Sequence, residues 1–292
     1  MPRAPAHRRS PPPPTPAGFP RRHPRRWCPT PLLGATAVVT AGVLAWGLRR
    51  STTKRGLALA LAAQGPMLAA SLAPRSHWLG PNLTRLPGDD PAVALTFDDG
   101  PDPEVTPRVL DLLEAADLRA SFFVIGRRAE RHPRLVADIA SRGHRVENHT
   151  HRHAPAFAFG GPRSMGEDIG RAQRLVTEIT GRPPAYFRAP AGMRNPLLEP
   201  VLAGLGLHLA SWTRRGFDTV DGSPQRILSR LTKGLRAGDI LLLHDTVQRR
   251  RGNPPVLDVL PPLLDRIAAA GLGAGPLPEP EGGLDGGPQP PI

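Results

Sequence analysis

The chain has 292 residues, room for one barrel-sized domain with appendages and too many for a small module stapled by disulfides or a structural metal. Its one cysteine, Cys28, excludes an intramolecular disulfide. The formal charge of +13 points first to nucleic acid, but residues 1–88 hold 13 Arg or Lys and no acid, which leaves 25 basic and 25 acidic groups in residues 89–292 and removes that partner.

In chain order, residues 1–26 form a basic tail rich in Pro and Arg, and residues 278–292 a second tail rich in Pro and Gly; neither composition can pack a core, so both are expected to be disordered. Trp27–Leu48 and Gly56–Pro74 are uncharged, largely apolar stretches of 22 and 19 residues, separated by Arg49, Arg50, Lys54 and Arg55. Each approaches the roughly 20 residues that cross a bilayer, although Gln64-Gly65-Pro66 interrupts the second. No Ala-x-Ala cleavage site follows the first stretch clearly. Residues 27–74 are therefore read as a membrane anchor of one or two transmembrane helices, with buried Ala-rich helices as the competing reading. Residues 75–88 then serve as a linker to a body at 89–277.

The body alternates strand-like and helix-like runs. Val93–Phe97 is a short apolar strand, and Thr106-Pro107 reads as an N-cap opening a helix over Arg108–Ala116. Strands follow at Ser121–Ile125, His144–Asn148, Ala185–Arg188, His208–Thr213, Asp239–His244 and Leu272–Leu277. Between them lie helices at Pro133–Ser141, Arg163–Thr180, Leu197–Leu205, Gln225–Arg236 and Val256–Ala270. Seven β/α units without hairpin signals argue for parallel strands under covering helices, as a barrel or an open doubly wound sheet. The first strand is followed by Asp98-Asp99-Gly100-Pro101, which repels phosphate and argues against nucleotide binding.

Polar residues interrupt this pattern at strand C-terminal ends. Asp98 and Asp99 follow the first strand, and His149, His151 and His153 follow the third. A helical turn would set His149 and His153 on one face at metal-bridging distance, with His151 pointing away as a hydrogen-bonded loop residue. A carboxylate from another strand end makes three ligands with open positions, the arrangement of a catalytic metal. Arg188, Asp218 and His244 close later strands. Singly they read as a salt bridge, a turn cap and a core-edge histidine; together they fall on the rim where barrel enzymes build their sites.

These residues resemble the polysaccharide deacetylases with the NodB homology domain, carbohydrate esterase family 4. The motifs run in order over roughly 90–275: Thr96-Phe97-Asp98-Asp99-Gly100, His149-Thr150-x-x-His153, Arg188-x-Pro190-x-Gly192, Trp212 with Asp218 six residues on, and Leu242-x-His244. The resemblance implies a distorted (β/α)7 barrel. It implies that Asp99, His149 and His153 bind a divalent metal ion, usually zinc, with Asp98 as general base and Arg188 holding it. Asp218 would orient His244, the general acid; the backbone N–H of Ala191 would help hold the oxyanion, Leu242 would line the pocket for the acetyl methyl, and Trp212 would bind substrate. The chain departs at Ala191, often aromatic in the family, and at Thr219, often Trp.

The resemblance thus implies a membrane-anchored, metal-dependent hydrolase of N-acetyl or O-acetyl groups on a glycan or glycolipid, with an extracytoplasmic body because the family's polymers lie outside the membrane. Alternatives are a hydrolase of a small amide, a catalytically silent carbohydrate-binding homologue, and a cytoplasmic-face enzyme acting on lipid-linked sugars. Positive-inside logic puts the tail, with seven arginines before residue 27, in the cytoplasm; one span then exports the body and two return it; alternatively the loop of Arg49, Arg50, Lys54 and Arg55 lies inside and the tail is translocated.

Overall fold

A computed structural model describes residues 22–50, 52–247 and 254–280. The expected tails lie outside the described residues except for 22–26 and 278–280. Three helices come first: α1 (Pro31–Arg49), α2 (Thr53–Ala62) and α3 (Gly65–Leu72). Thr30 caps α1 by accepting from the Leu33 N–H at 3.4 Å, with Pro31 at the first helical position. Among the described residues α1 is the one helix long and apolar enough to cross a membrane, with mean hydropathy 1.7 and 6% of that window buried. The second apolar stretch breaks before Gly65-Pro66 into helices of 10 and 8 residues, each short of a span.

The body opens with β1 (Ala92–Asp98), α4 (Thr106–Ala115), β2 (Ser121–Val124), α5 (Gly126–Arg131), α6 (Pro133–Ser141) and β3 (Arg145–Asn148). It continues through α7 (Pro162–Thr180), β4 (Tyr186–Phe187), α8 (Leu198–Gly204), β5 (His208–Leu209) and β6 (Arg214–Arg215). It ends with α9 (Pro224–Thr232), β7 (Ile240–His244), α10 (Pro255–Ala269) and β8 (Gly273–Gly275). The strands pair in the order β5-β4-β3-β2-β1-β7-β6, all parallel, with β8 on the first residues of β1. The sheet curls into the distorted barrel that the resemblance implies, one of the two forms the β/α alternation allows.

Strand periodicity builds two cores from near-continuous apolar runs. Val93, Leu95 and Phe97 of β1 and Leu241 and Leu243 of β7 pack outward with the helices, while Ala94, Ile240 and Leu242 face the interior with Phe123 and Trp212. Phe97 stacks on Phe122 at 5.0 Å, and truncating either to Ala would cost about 3–5 kcal/mol.

The curled sheet is sealed by sequence that precedes it. Leu83 N–H donates to Leu209 O at 2.9 Å, Ser211 N–H to Leu83 O at 2.8 Å, and Leu86 N–H to Gly238 O at 2.8 Å. Leu83 and Leu86 pack into the interior, and Arg85 reaches the Asp239 carboxylate at 2.6 Å. Residues 82–86, expected to be linker, thus form a stave between β5 and β7. Arg25 donates to Leu207 O at 2.9 Å and Arg22 to Pro184 O at 2.8 Å, both at the base, the end where strands begin.

Local differences from expectation have local causes. Thr106 lies inside α4 without capping it; its hydroxyl instead donates to Asp245 Oδ2 at 2.6 Å and accepts from the Asp102 N–H at 2.8 Å. The helix α5, of 6 residues, is too short to show a period. The run His208–Thr213 yields only the two residues of β5, and β6 begins after it.

Candidate metal centre and active site

Parallel pairing brings the functional residues to one level at the mouth, the end where strands finish. Asp98 lies in register with His244 of β7 and Phe123 of β2, and Asn148 with Val124 and Phe187. His149 and Arg188 follow immediately after Asn148 and Phe187. Asp99 then turns off the strand at φ 71°, and a side chain at Gly100 would collide with the Asp245 carboxylate, which explains the Asp-Asp-Gly sequence.

Arg188 is buried, and all three of its guanidinium nitrogens are engaged. It donates to Asp98 Oδ1 at 2.6 Å, Thr96 Oγ1 at 2.9 Å, Ser211 O at 2.8 Å and Ala210 O at 3.2 Å, and lies over the Phe123 ring at 4.0 Å. Asp98 is therefore held in one orientation by a charge-assisted bond, with Oδ2 left toward the cavity.

Opposite this pair, His149 Nε2 stands 3.4 Å and His153 Nε2 3.2 Å from Asp99 Oδ1. His149 Nδ1 donates to Arg188 O at 2.8 Å, which leaves Nε2 with its lone pair toward Asp99. One ligand atom from each of Asp99, His149 and His153 lies within 4.8 Å of the others, and Asp99 Oδ1 is buried without a hydrogen-bond partner. Two imidazoles and a carboxylate around an unsatisfied oxygen fit a divalent cation with open coordination positions. Burial would raise the Asp99 carboxyl, but His149 beside it and the charges of His244 and His153 hold it well below the usual range.

The histidines meet by a route other than a helical turn. Residues 149–153 form a loop in which Thr150 (φ 64°) and His153 (φ 51°) are left-handed. Asn148 Oδ1 accepts the Thr150 N–H at 3.0 Å, and Thr150 Oγ1 accepts the His153 N–H at 2.9 Å. These bonds replace the helical ladder and still turn both rings inward, their centroids 4.8 Å apart. His151 points away, with Nε2 3.7 Å from Glu130, and its backbone carbonyl accepts the Arg127 N–H at 2.9 Å.

On the far wall, His244 Nδ1 donates to Asp218 Oδ1 at 2.8 Å while the His244 N–H donates to Asp218 Oδ2 at 2.8 Å. Burial disfavours the imidazolium, but the charge and hydrogen bond of Asp218 win and push the pKa up to about 9. Asp98, Asp99, His149, His153 and His244 line one cavity of 180 Å³ together with Ala191, Trp212, Leu242, Arg215 and Thr219. Every residue singled out from the sequence for the site is either in this cavity or, for Arg188 and Asp218, bonded to a residue that is. Sequence reasoning gave no role to Thr96, Asn148, Asp245 and Arg215. A polar residue inside the apolar β1 run signalled Thr96; nothing local distinguished Arg215 from its neighbour Arg214.

Residues 85–210 match the family described as polysaccharide deacetylase. Among curated proteins, a peptidoglycan-N-acetylglucosamine deacetylase of Bacillus cereus is 35% identical over 162 residues, 55% of this chain and 75% of that protein. A chitooligosaccharide deacetylase of Bradyrhizobium is 34% identical over 165 residues, 56% of this chain and 72% of that protein. Among solved structures, a family 4 carbohydrate esterase pseudoenzyme from Bacillus anthracis superposes with a TM-score of 0.61 at 21% identity, covering 67% of this chain and 66% of that one; this likeness shows the fold alone.

Proposed function

Because this chain belongs to the polysaccharide deacetylase family, we propose that it hydrolyses the N-acetyl groups of a glycan built on N-acetylglucosamine, the sugar class named in its peptidoglycan-deacetylase relative. The observation that carries this reading is the pairing of Asp98 with Arg188 and of His244 with Asp218 on opposite walls of one cavity, with Asp99, His149 and His153 between them.

Acetamide hydrolysis needs an activated water, a stabilised oxyanion and a proton for the leaving amine. Asp99, His149 and His153 would hold a divalent cation, which we take to be zinc, and when bound it would supply Lewis acidity toward the carbonyl and lower the pKa of water. Asp98, held in one orientation by Arg188, accepts the proton of the attacking water through Oδ2. His244, protonated at neutral pH under the influence of Asp218, donates from Nε2 to the amine nitrogen as the C–N bond breaks. Leu242 and Trp212 make an apolar wall for the acetyl methyl, and the Ala191 amide joins the oxyanion site.

We place α1 in a lipid bilayer and the barrel outside the cytoplasm, where peptidoglycan lies. Arg22 and Arg25 bond the barrel base while Ser71 O accepts from Arg194 N–H and Pro74 O from Ser211 Oγ, so both ends of the α1–α3 segment lie on the barrel's side. The tip with Arg49, Arg50, Lys54 and Arg55 then faces the cytoplasm, as short cationic loops do.

The test is metal analysis of the purified protein and acetate release from chito-oligosaccharides, peptidoglycan strands and small amides. Release from the glycans alone supports the reading. Release from small amides alone replaces it with an amidase, and a metal-loaded protein that binds glycan without releasing acetate makes it a silent homologue.

A further inference from the structure

Strand alternation sends the two arginines of β6 to opposite faces. Arg214 turns outward and is saturated by the Asp239 carboxylate and the carbonyls of Lys233 and Gly234. Arg215 turns into the catalytic cavity. There its guanidinium lies 5.4 Å from the Trp212 ring centroid and 4.9 Å from that of Phe217. Among the described residues it has no carboxylate or carbonyl partner, and its Nε–H is buried without an acceptor.

Of the nearby carboxylates, Asp98 holds Arg188 and Asp218 holds His244, while Asp99 faces the two histidines. Aromatic faces stabilise a cation but leave the donors at the guanidinium edge unfilled. A buried donor with no acceptor, on a cation with no counter-charge, inside a substrate cavity, is what a site for a substrate anion looks like before the substrate arrives.

We propose that Arg215 determines specificity by binding an anionic substituent of the substrate, a carboxylate or phosphoryl group on or beside the acetamido sugar. This rests on the deacetylase reading and narrows its substrate class from neutral to acidic glycans. The contact is made equally before and during the reaction, so it acts on KM and leaves the chemical step to Asp98 and His244.

The experiment compares neutral tetra-N-acetylchitotetraose with its carboxymethylated and phosphorylated counterparts. Acetate release is measured on the zinc-loaded protein, and calorimetric binding on the metal-free protein. Both charged tetramers, or the one of matching chemistry, should be favoured by about 10-fold or more over the neutral one, through KM and not kcat. Whichever is preferred identifies carboxylate or phosphoryl as the group read. Arg215→Gln should bring the charged-to-neutral ratio to about 1, and Arg215→Lys should keep part of it, because the charge survives and the planar fork does not. Equal affinity of the unaltered protein for charged and neutral tetramers, or an undiminished ratio in Arg215→Gln, overturns the proposal. If Arg215→Gln fails to fold, the salt dependence of binding decides, and a preference insensitive to salt overturns it. Preferential binding of the charged tetramers with no acetate released from any of them keeps the anion site and removes the deacetylase reading. Release from all three without preference does the reverse.

Discussion

The two ends of the barrel each hold a cavity of 180 Å³ lined by ionisable side chains, and they differ in how those side chains are satisfied. At the base, Arg22, Arg145 and Arg182 converge on Glu279. Glu147 accepts the Ala185 and Tyr186 N–H groups, both at 2.7 Å, and His144 Nδ1 accepts the Ala120 N–H at 3.1 Å. None of these groups lacks a partner. At the mouth, Asp99 Oδ1 and Arg215 Nε are buried and unpaired. A cluster that answers its own charges holds the fold together, and one that leaves them open is built for something that binds.

The contrast is tested first where the expected effect is largest. His149→Ala should lose bound metal and acetate release together, and Asp98→Asn should keep the metal and fall about 10²–10⁴-fold in kcat. An Asp98→Asn protein that keeps a tenth of its activity would remove Asp98 as the base. Next, His244→Ala should keep its metal and lose about 10²–10⁴-fold on an acetylated amine, but far less on an aryl acetate, whose leaving group departs with little protonation. Equal losses on the two substrates would reduce His244 to a pocket residue.

At the base the signs reverse. Glu279→Ala leaves three converging arginines without their carboxylate, so thermal unfolding should show a loss of about 1–3 kcal/mol while kcat/KM is unchanged. Burial raises the Glu279 carboxyl, but Arg22 and Arg145 outweigh it and bring the pKa to about 2. Its contribution is therefore complete above pH 4.5 and lost as pH falls toward 2. The smallest effect belongs to His144, whose pKa burial and the charges of Arg119 and Arg142 lower to about 4. The unfolded chain takes up this proton first, so stability should decline between pH 6.5 and 4, by about 1 kcal/mol after solvent screening. Denaturant titrations of the unaltered protein and His144→Gln across that window would show the slope flatten; an unchanged slope would assign it to another group.

The mouth was more legible in the sequence than the base. Asp98, Asp99 and His244 sit at the end of or directly after the apolar strands β1 and β7, and His149 directly follows β3, so strand ends located most of the site. The base is built by Arg22 and Glu279, which lie 257 positions apart and in segments whose composition reads as tail. No local period carries such a contact. The same holds for Leu83, one apolar residue in an irregular stretch, and for Arg215, whose inward direction depends on the register of a two-residue strand. The i,i+4 spacing of His149 and His153 fits a helix turn and also the loop, held by Asn148 and Thr150, that the structure has.

The stave at residues 82–86 bears on the order in which the chain can fold as it is made. Arg85 leaves the ribosome 154 positions before Asp239, its partner, and Thr84 leaves it 129 positions before Thr213. Through that interval the interior faces of β1, β2 and β4 lack Leu83 and Leu86, and the stave's own backbone groups have only water to bond. Contacts of such separation are slow to form and leave apolar surface open while they wait. The stave of a nascent chain therefore stays without its full set of partners until Gly238 and Asp239 have emerged.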